Sequence, residues 1–237
     1  MTNFSLGIAP AQRRPGLALG LVQFHKPYDV YQVVMPTWPN VVDALTRSFE
    51  QRRAISHWLG GAFHGKRRTS NACARTITSL HITANAATGE IPPSIAEART
   101  RLIKYGHGAF LWTTCAHSEA QPDYVIAFPW WKPGTFPHGA SHDNQAAVAE
   151  QHAAAVDIDA LRAVAIAKEL NLDGVLAADC GLITALVQPA THRPGATNWV
   201  AEWVEGGPID CCMSIIDAKA AALLSTQPRK GRTAYDY

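Results

Sequence analysis

The 237-residue sequence has no run of apolar residues close to the roughly 18 to 20 that a membrane-spanning helix needs. Arg13 and Arg14 stand where a secretory signal would carry its apolar core. The expectation is a cytoplasmic protein with no membrane partner. Excess charge of one sign is missing too: 21 basic against 19 acidic residues leave +2, too little for a global field that draws in nucleic acid. The five cysteines, Cys73, Cys115, Cys180, Cys211 and Cys212, show neither a C-x-x-C zinc spacing nor an even-numbered disulfide framework. They read as reduced thiols, mostly packing. There is no G-x-x-x-x-G-K-[ST] phosphate loop, which argues against an ATPase or helicase motor in these residues, and no G-x-S-x-G elbow or H-E-x-x-H pair.

What is present is apolar bulk. Hydrophobic residues make up 47% of the chain, enough for a sizeable core and too much for wholesale disorder. Leu17 to Phe24 and Val30 to Met35 are apolar runs broken by Pro15, Pro27, Pro36 and Pro39, and suggest two strands or irregular segments. Asn40 reads as the N-cap of a helix carrying Val41, Val42, Leu45, Phe49, Ile55 and Trp58, ended by Gly60-Gly61. Thr76 to Thr83 has strand composition, and Thr88 to Pro93 is a turn. Ser94 caps a helix through Tyr105, stopped by Gly106 and Gly108. Ala109 to Thr114 reads as a buried strand, Cys115 to Pro122 as a polar loop, Asp123 to Trp130 as a second strand, and Pro133 to His142 as a loop.

Asp143 opens an alanine-rich helical region reaching Leu170. Strands follow at Leu182 to Val187 and Asn198 to Val204, on either side of a turn over Pro189 to Gly195, and a last helix covers about Ile215 to Leu224. With no internal repeat of about 20 to 50 residues and no long linker, the expectation is one mixed α/β (α+β) domain over residues 1–225, its core at about 40–224 and its central sheet flanked by helices. Residues 226–237, with Arg229, Lys230 and Arg232, read as a flexible basic tail.

The stretch Ser94 to Pro133 carries a recognisable succession: helix Ile95 to Tyr105, strand Gly108 to Trp112, turn Thr113-Thr-Cys-Ala-His-Ser118, strand Tyr124 to Pro129. Leu172 to Pro189 supplies an Asp-containing segment leading to a strand that ends in proline, and Gly206 to Asp210 a Gly-x-Pro-Ile-Asp element. In this order the pieces resemble the archaeo-eukaryotic-type primase and primase-polymerase domains of plasmid and phage replication proteins, over roughly residues 40–224. The resemblance implies a primase-polymerase-like fold, single-stranded DNA template and nucleotides as partners, a separate replicative helicase, and metal-dependent nucleotidyl transfer with Mg or Mn as cofactor. It gives His117 the place of the second active-site motif. Asp173 and Asp179 are the carboxylates nearest the third, so His117 and Asp179 become the candidate catalytic residues and Asp173 and Asp179 the candidate metal ligands.

The chain departs from that pattern. Nucleotidyl transfer needs carboxylate oxygens to hold divalent ions against a triphosphate. The strand that should end in an acidic pair ends in His81-Ile82-Thr83-Ala84-Asn85, which puts Thr83 and Asn85 at the carboxylate positions. Thr184 stands where the family usually places an arginine before the strand-ending proline. Nucleotidyl transfer is therefore expected to be weak or lost, and a non-catalytic protein that binds single-stranded nucleic acid or assembles a replication complex is the rival expectation.

Other residues admit two readings each. Lys66, Arg67, Arg68 and Arg75 form a basic cluster that suits phosphates or is simply a solvated charged loop. Asp157 and Asp159, the only Asp-x-Asp, are a metal pair or a helix cap. His81 reads as a packed or hydrogen-bonded histidine, and Glu90 as an exposed turn residue or a replacement ligand. Trp130-Trp131-Lys132 and Trp199-x-x-x-Trp203 offer either base-stacking platforms or partly buried core.

Overall fold

Long apolar strands need cover on both faces, and an alternation of large side chains to opposite faces shows where that cover lies. The computed structural model of the chain describes residues 15–22, 30–50, 57–59, 61–63, 72–135, 162–177, 186–187 and 190–206. In chain order these form strands β1 (Pro15–Val22) and β2 (Val30–Thr37), helix α1 (Trp38–Leu45), and strands β3 (Phe49–Glu50), β4 (His57–Leu59), β5 (Gly61–Phe63) and β6 (Ala72–Ile82). Helix α2 (Ile95–Tyr105) follows, then strands β7 (Ala109–Thr113), β8 (Tyr124–Thr135), β9 (Leu186–Val187), β10 (Thr191–His192) and β11 (Ala201–Val204). Residues 162–169 are helical.

The five-stranded sheet has the order β11-β7-β8-β6-β5, all antiparallel. A four-stranded sheet, β2-β1-β4-β9, and a parallel pair, β10-β3, complete a mixed α/β architecture. On one face of the large sheet Leu80, Ile82, Leu111, Tyr124, Ile126 and Phe128 are buried with Leu102 of α2 and Ile166 of the helical segment. On the other, Ile77, Phe110, Trp112, Val125 and Ala127 meet Trp38, Val41 and Leu45 of α1. Among the described residues no helix is long and apolar enough to cross a membrane.

Local chemistry explains the elements around the large sheet. The Ser94 side chain accepts from Glu97 N at 3.3 Å, Glu97 and Lys104 suit the dipole at the two ends of α2, and Gly106 takes the left-handed conformation (φ 80) that ends it. Arg99 anchors α2 to Glu202 of β11 at 2.7 Å. Gly108 is required by close approach, because a Cβ there would run into the Trp203 ring.

Three expectations are corrected. The helix expected from Asn40 to Trp58 is α1 alone: it starts at Trp38, because Pro39 suits a first turn, and stops at Thr46, whose hydroxyl donates back to Val42 O at 2.7 Å. Phe49 and Trp58, spaced as for a helix, lie on strands. Secondly, β8 passes through Pro133 to Thr135, accommodated by a register irregularity between Arg75 and Ile77 of its partner. Thirdly, the turn expected over Pro189 to Gly195 contains β10. The expected helix at Ile215 to Leu224, the tail 226–237, Asp157 and Asp159 lie outside the described residues.

Leu102 is fully buried and its neighbour Ile103 is 60% exposed. Leu102→Ala is expected to destabilise the protein by about 2–5 kcal/mol and Ile103→Ala by about 0.5 kcal/mol or less, measured as urea midpoints. Equal losses would place α2 on the wrong face.

Candidate nucleic-acid site at one end of the large sheet

The last paired rung between β6 and β8 is Ile82 with Tyr124, and between β7 and β8 it is Thr113 with Tyr124. One step further Asp123 lies between Thr83 and Thr114, and Thr114 N donates to Asp123 O at 3.1 Å. Strand alternation places the side chains of His81, Thr83, Thr114 and Asp123 on the α1 side of the sheet. Asp123 is buried, and a buried carboxylate costs heavily unless hydrogen bonds reach it. Here they do. His81 Nε2 donates to Asp123 Oδ1 at 3.0 Å, the Thr114 hydroxyl donates to the same oxygen, and Thr83 adds a side-chain hydrogen bond. Burial pushes the Asp123 pKa upward, but the bonds from His81, Thr114 and Thr83 outweigh it and hold the carboxyl below its ordinary value.

The turn between β7 and β8 is shaped by the same residues. His117 N donates to Thr114 O at 3.1 Å, Ala116 N donates to Thr114 Oγ1 at 3.1 Å, and Ser118 and Gln121 close the loop with two bonds of 3.0 Å. His117 Nδ1 accepts from Asp123 N at 3.2 Å. That bond leaves Nε2 as the protonated nitrogen of the neutral ring. Burial lowers the His117 pKa against the opposing pull of Asp123 and Glu119, so the ring is neutral at pH 7 and carries one free donor.

Across the sheet end, residues 174–177 cover the edge of β6 beyond its pairing with β5. Thr83 N donates to Val175 O at 3.0 Å, Ala177 N to His81 O at 2.9 Å, and Asn85 Nδ2 to Gly174 O at 2.9 Å. Asn85 Oδ1 accepts from Ala87 and Thr88, so its amide is occupied on both sides. Asp173, exposed, opens this turn. The exposed Glu90 side chain lies against Gly174, where a Cβ would run into its carboxylate.

The Thr83–Asn85 strand end, His117 and Asp173 therefore share one end of the sheet, strung along it rather than gathered at a point. Among the described residues no three His, Cys, Asp or Glu side chains form a cation site. The donors present fit Mg or Mn poorly: Asn85 is engaged in its turn, and the Asp123 oxygen faces protein donors. Asp179, Lys66, Arg67 and Arg68 lie outside the described residues, and Arg75 is placed only as a backbone position on β6, paired with Gly61 and Gly134.

No protein-family model, curated protein or solved structure matches this chain.

Sequence reasoning passed over Asp123 as a strand start and did not single out Thr114 or Arg193. The signal for Asp123 was its place, one acid directly before the uninterrupted apolar strand Tyr124 to Phe128. Arg193 holds the His117 turn from the other side, its Nε donating to Cys115 O at 2.7 Å and its Nη2 to Ala116 O at 3.4 Å, while Thr191 Oγ1 accepts from Cys115 N at 2.8 Å.

Because the folded-state pKa of Asp123 is depressed, its stabilisation is fully present above the ordinary carboxylate value near 3.8 and is lost as pH falls through the lower folded value. Asp123→Asn is expected to cost about 1–3 kcal/mol at pH 7 and to flatten the loss of thermal stability below about pH 4. A variant whose melting temperature falls as steeply in acid as the wild type would contradict this arrangement.

Proposed function

We propose that the chain is a primase-polymerase-like domain of a plasmid- or phage-type replication protein, acting as a module that binds single-stranded DNA or nucleotide and has lost nucleotidyl transfer. The observation that carries this reading is the meeting, at one end of the five-stranded antiparallel sheet, of three segments far apart in sequence: the Thr83–Asn85 strand end, the His117 turn and the Asp173 turn. The family pattern puts its first two motifs at the first two of these segments, and Asp173 is one of the carboxylates nearest the third. The neutral His117 ring offers an N–H donor that suits a phosphate oxygen. Lys66, Arg67, Arg68 and Arg75 supply phosphate charge in this reading.

Loss of transfer follows from the residues themselves. Thr83 and Asn85 bring neutral oxygens where hard divalent ions need carboxylates, and the Asn85 amide is committed to its turn. The Asp123 carboxylate is held by His81, Thr83 and Thr114. One observation favours the second reading, a retained transferase using Asp173 and Asp179 with Mg or Mn: Asp173 stands directly before the carbonyl that holds Asn85.

Fluorescence polarisation of a labelled oligo-dT, with salt and chelator varied, separates the two. The expected result is affinity that falls with salt, is indifferent to EDTA and weakens roughly tenfold in His117→Ala, for loss of one bond to a charged phosphate, with no primer product in Mg or Mn. Product that disappears in His117→Ala or Asp179→Ala establishes the transferase instead. Absence of both binding and product removes the replication reading.

A further inference from the structure

We propose that Trp199, backed by His192, is a stacking platform for an unpaired base of single-stranded nucleic acid, an inference that rests on the nucleic-acid reading of the adjoining sheet end. The two tryptophans of Trp199-x-x-x-Trp203 have different surroundings. Trp203 packs into the core beneath the sheet, 4.7 Å from Phe110 and 5.0 Å from Trp38 between ring centroids, both edge-on. Trp199 is 41% exposed and belongs to neither core cluster. Its indole lies nearly parallel to the His192 imidazole, with centroids 5.0 Å apart and planes 17° from each other. A large flat ring held in solvent against a second ring is the geometry on which a base stacks, and every base has a face to offer.

The platform is built before any ligand arrives. His192 Nδ1 is bonded to Ser48 Oγ at 2.8 Å, and β10 is paired to β3 through Thr191 with Phe49 and His192 with Glu50. A ring already fixed loses little freedom on binding. Its position also points to nucleic acid. Thr191 and Arg193, on either side of His192, are the residues that grip the turn carrying His117. The exposed Arg193 guanidinium meets backbone carbonyls and, among the described residues, no carboxylate, so its positive charge remains available to a phosphate. Flat ring and uncompensated cation on one segment, with the neutral histidine donor on the turn hydrogen-bonded to it, match base and backbone of a single strand.

The test uses the full chain, an oligo-dT, and the same oligonucleotide with abasic sites. Wild type is expected to bind the base-bearing strand more tightly. Trp199→Ala is expected to bind it about 5- to 100-fold more weakly, the range for removing a stacking aromatic, and to lose the preference over the abasic strand without a shift in melting temperature. Trp199→Phe is expected to keep most of both. Wild type that binds both strands equally overturns the platform whatever the variants do. Tight binding by Trp199→Ala overturns it and leaves the nucleic-acid reading standing. Absence of wild-type binding to either strand overturns both.

Discussion

A single buried carboxylate organises one end of the large sheet. Asp123 sits where three strands finish, and burial forbids it to remain without donors. Its needs are met from β6 by His81 and Thr83 and from the β7 side by Thr114, while its own backbone N–H fixes the ring of His117. The hydrogen bonds thus do two things at once: they lock the strand ends in register, and they determine which nitrogen of His117 carries the proton. A water-exposed acid at the same place would not lock the strand ends, since exposed carboxylates satisfy themselves in solvent.

From this constraint the rest of the site follows outward. The turn held by Asp123 is gripped on its other side by Thr191 and Arg193, so the parallel pair β10-β3, which belongs to neither large sheet, is tied to the sheet end through two residues. On the far side the 174–177 segment closes the edge of β6. The result is a line of anchored loops. On the proposed reading such a line would offer a phosphate backbone successive donors and a base a ring, which suits binding better than ion-assisted chemistry, where oxygens must converge on one point.

Much of the scaffold was legible in the sequence. Ser94, Glu97 and Gly106 announce α2 by capping chemistry alone, and the runs Ala109 to Thr113 and Tyr124 to Phe128 announce strands covered on both faces. The end of α1 was not legible, because Phe49 and Trp58 continue its apolar spacing while the backbone leaves the helix to pair with β10 and β1. Nor was the Asp123 cluster, since His81 is 42 positions away in sequence and only the register between β6 and β8 brings it near. The division of labour between Trp199 and Trp203 depends on where β11 begins, a matter of one or two residues that spacing cannot decide. His117 was singled out by resemblance to a family pattern; its tautomer comes only from the fold.

The central claim is that nucleic acid engages this sheet end through its anchored loops. Backbone amide NMR of the isotope-labelled chain during titration with a short oligo-dT tests it most directly. The account predicts that shift changes concentrate at Thr83 to Asn85, Thr114 to Ser118 and Thr191 to Trp199, with α2 and its exposed Ile103 undisturbed. Changes confined to α2 or to the four-stranded sheet, with these three segments silent, would contradict it.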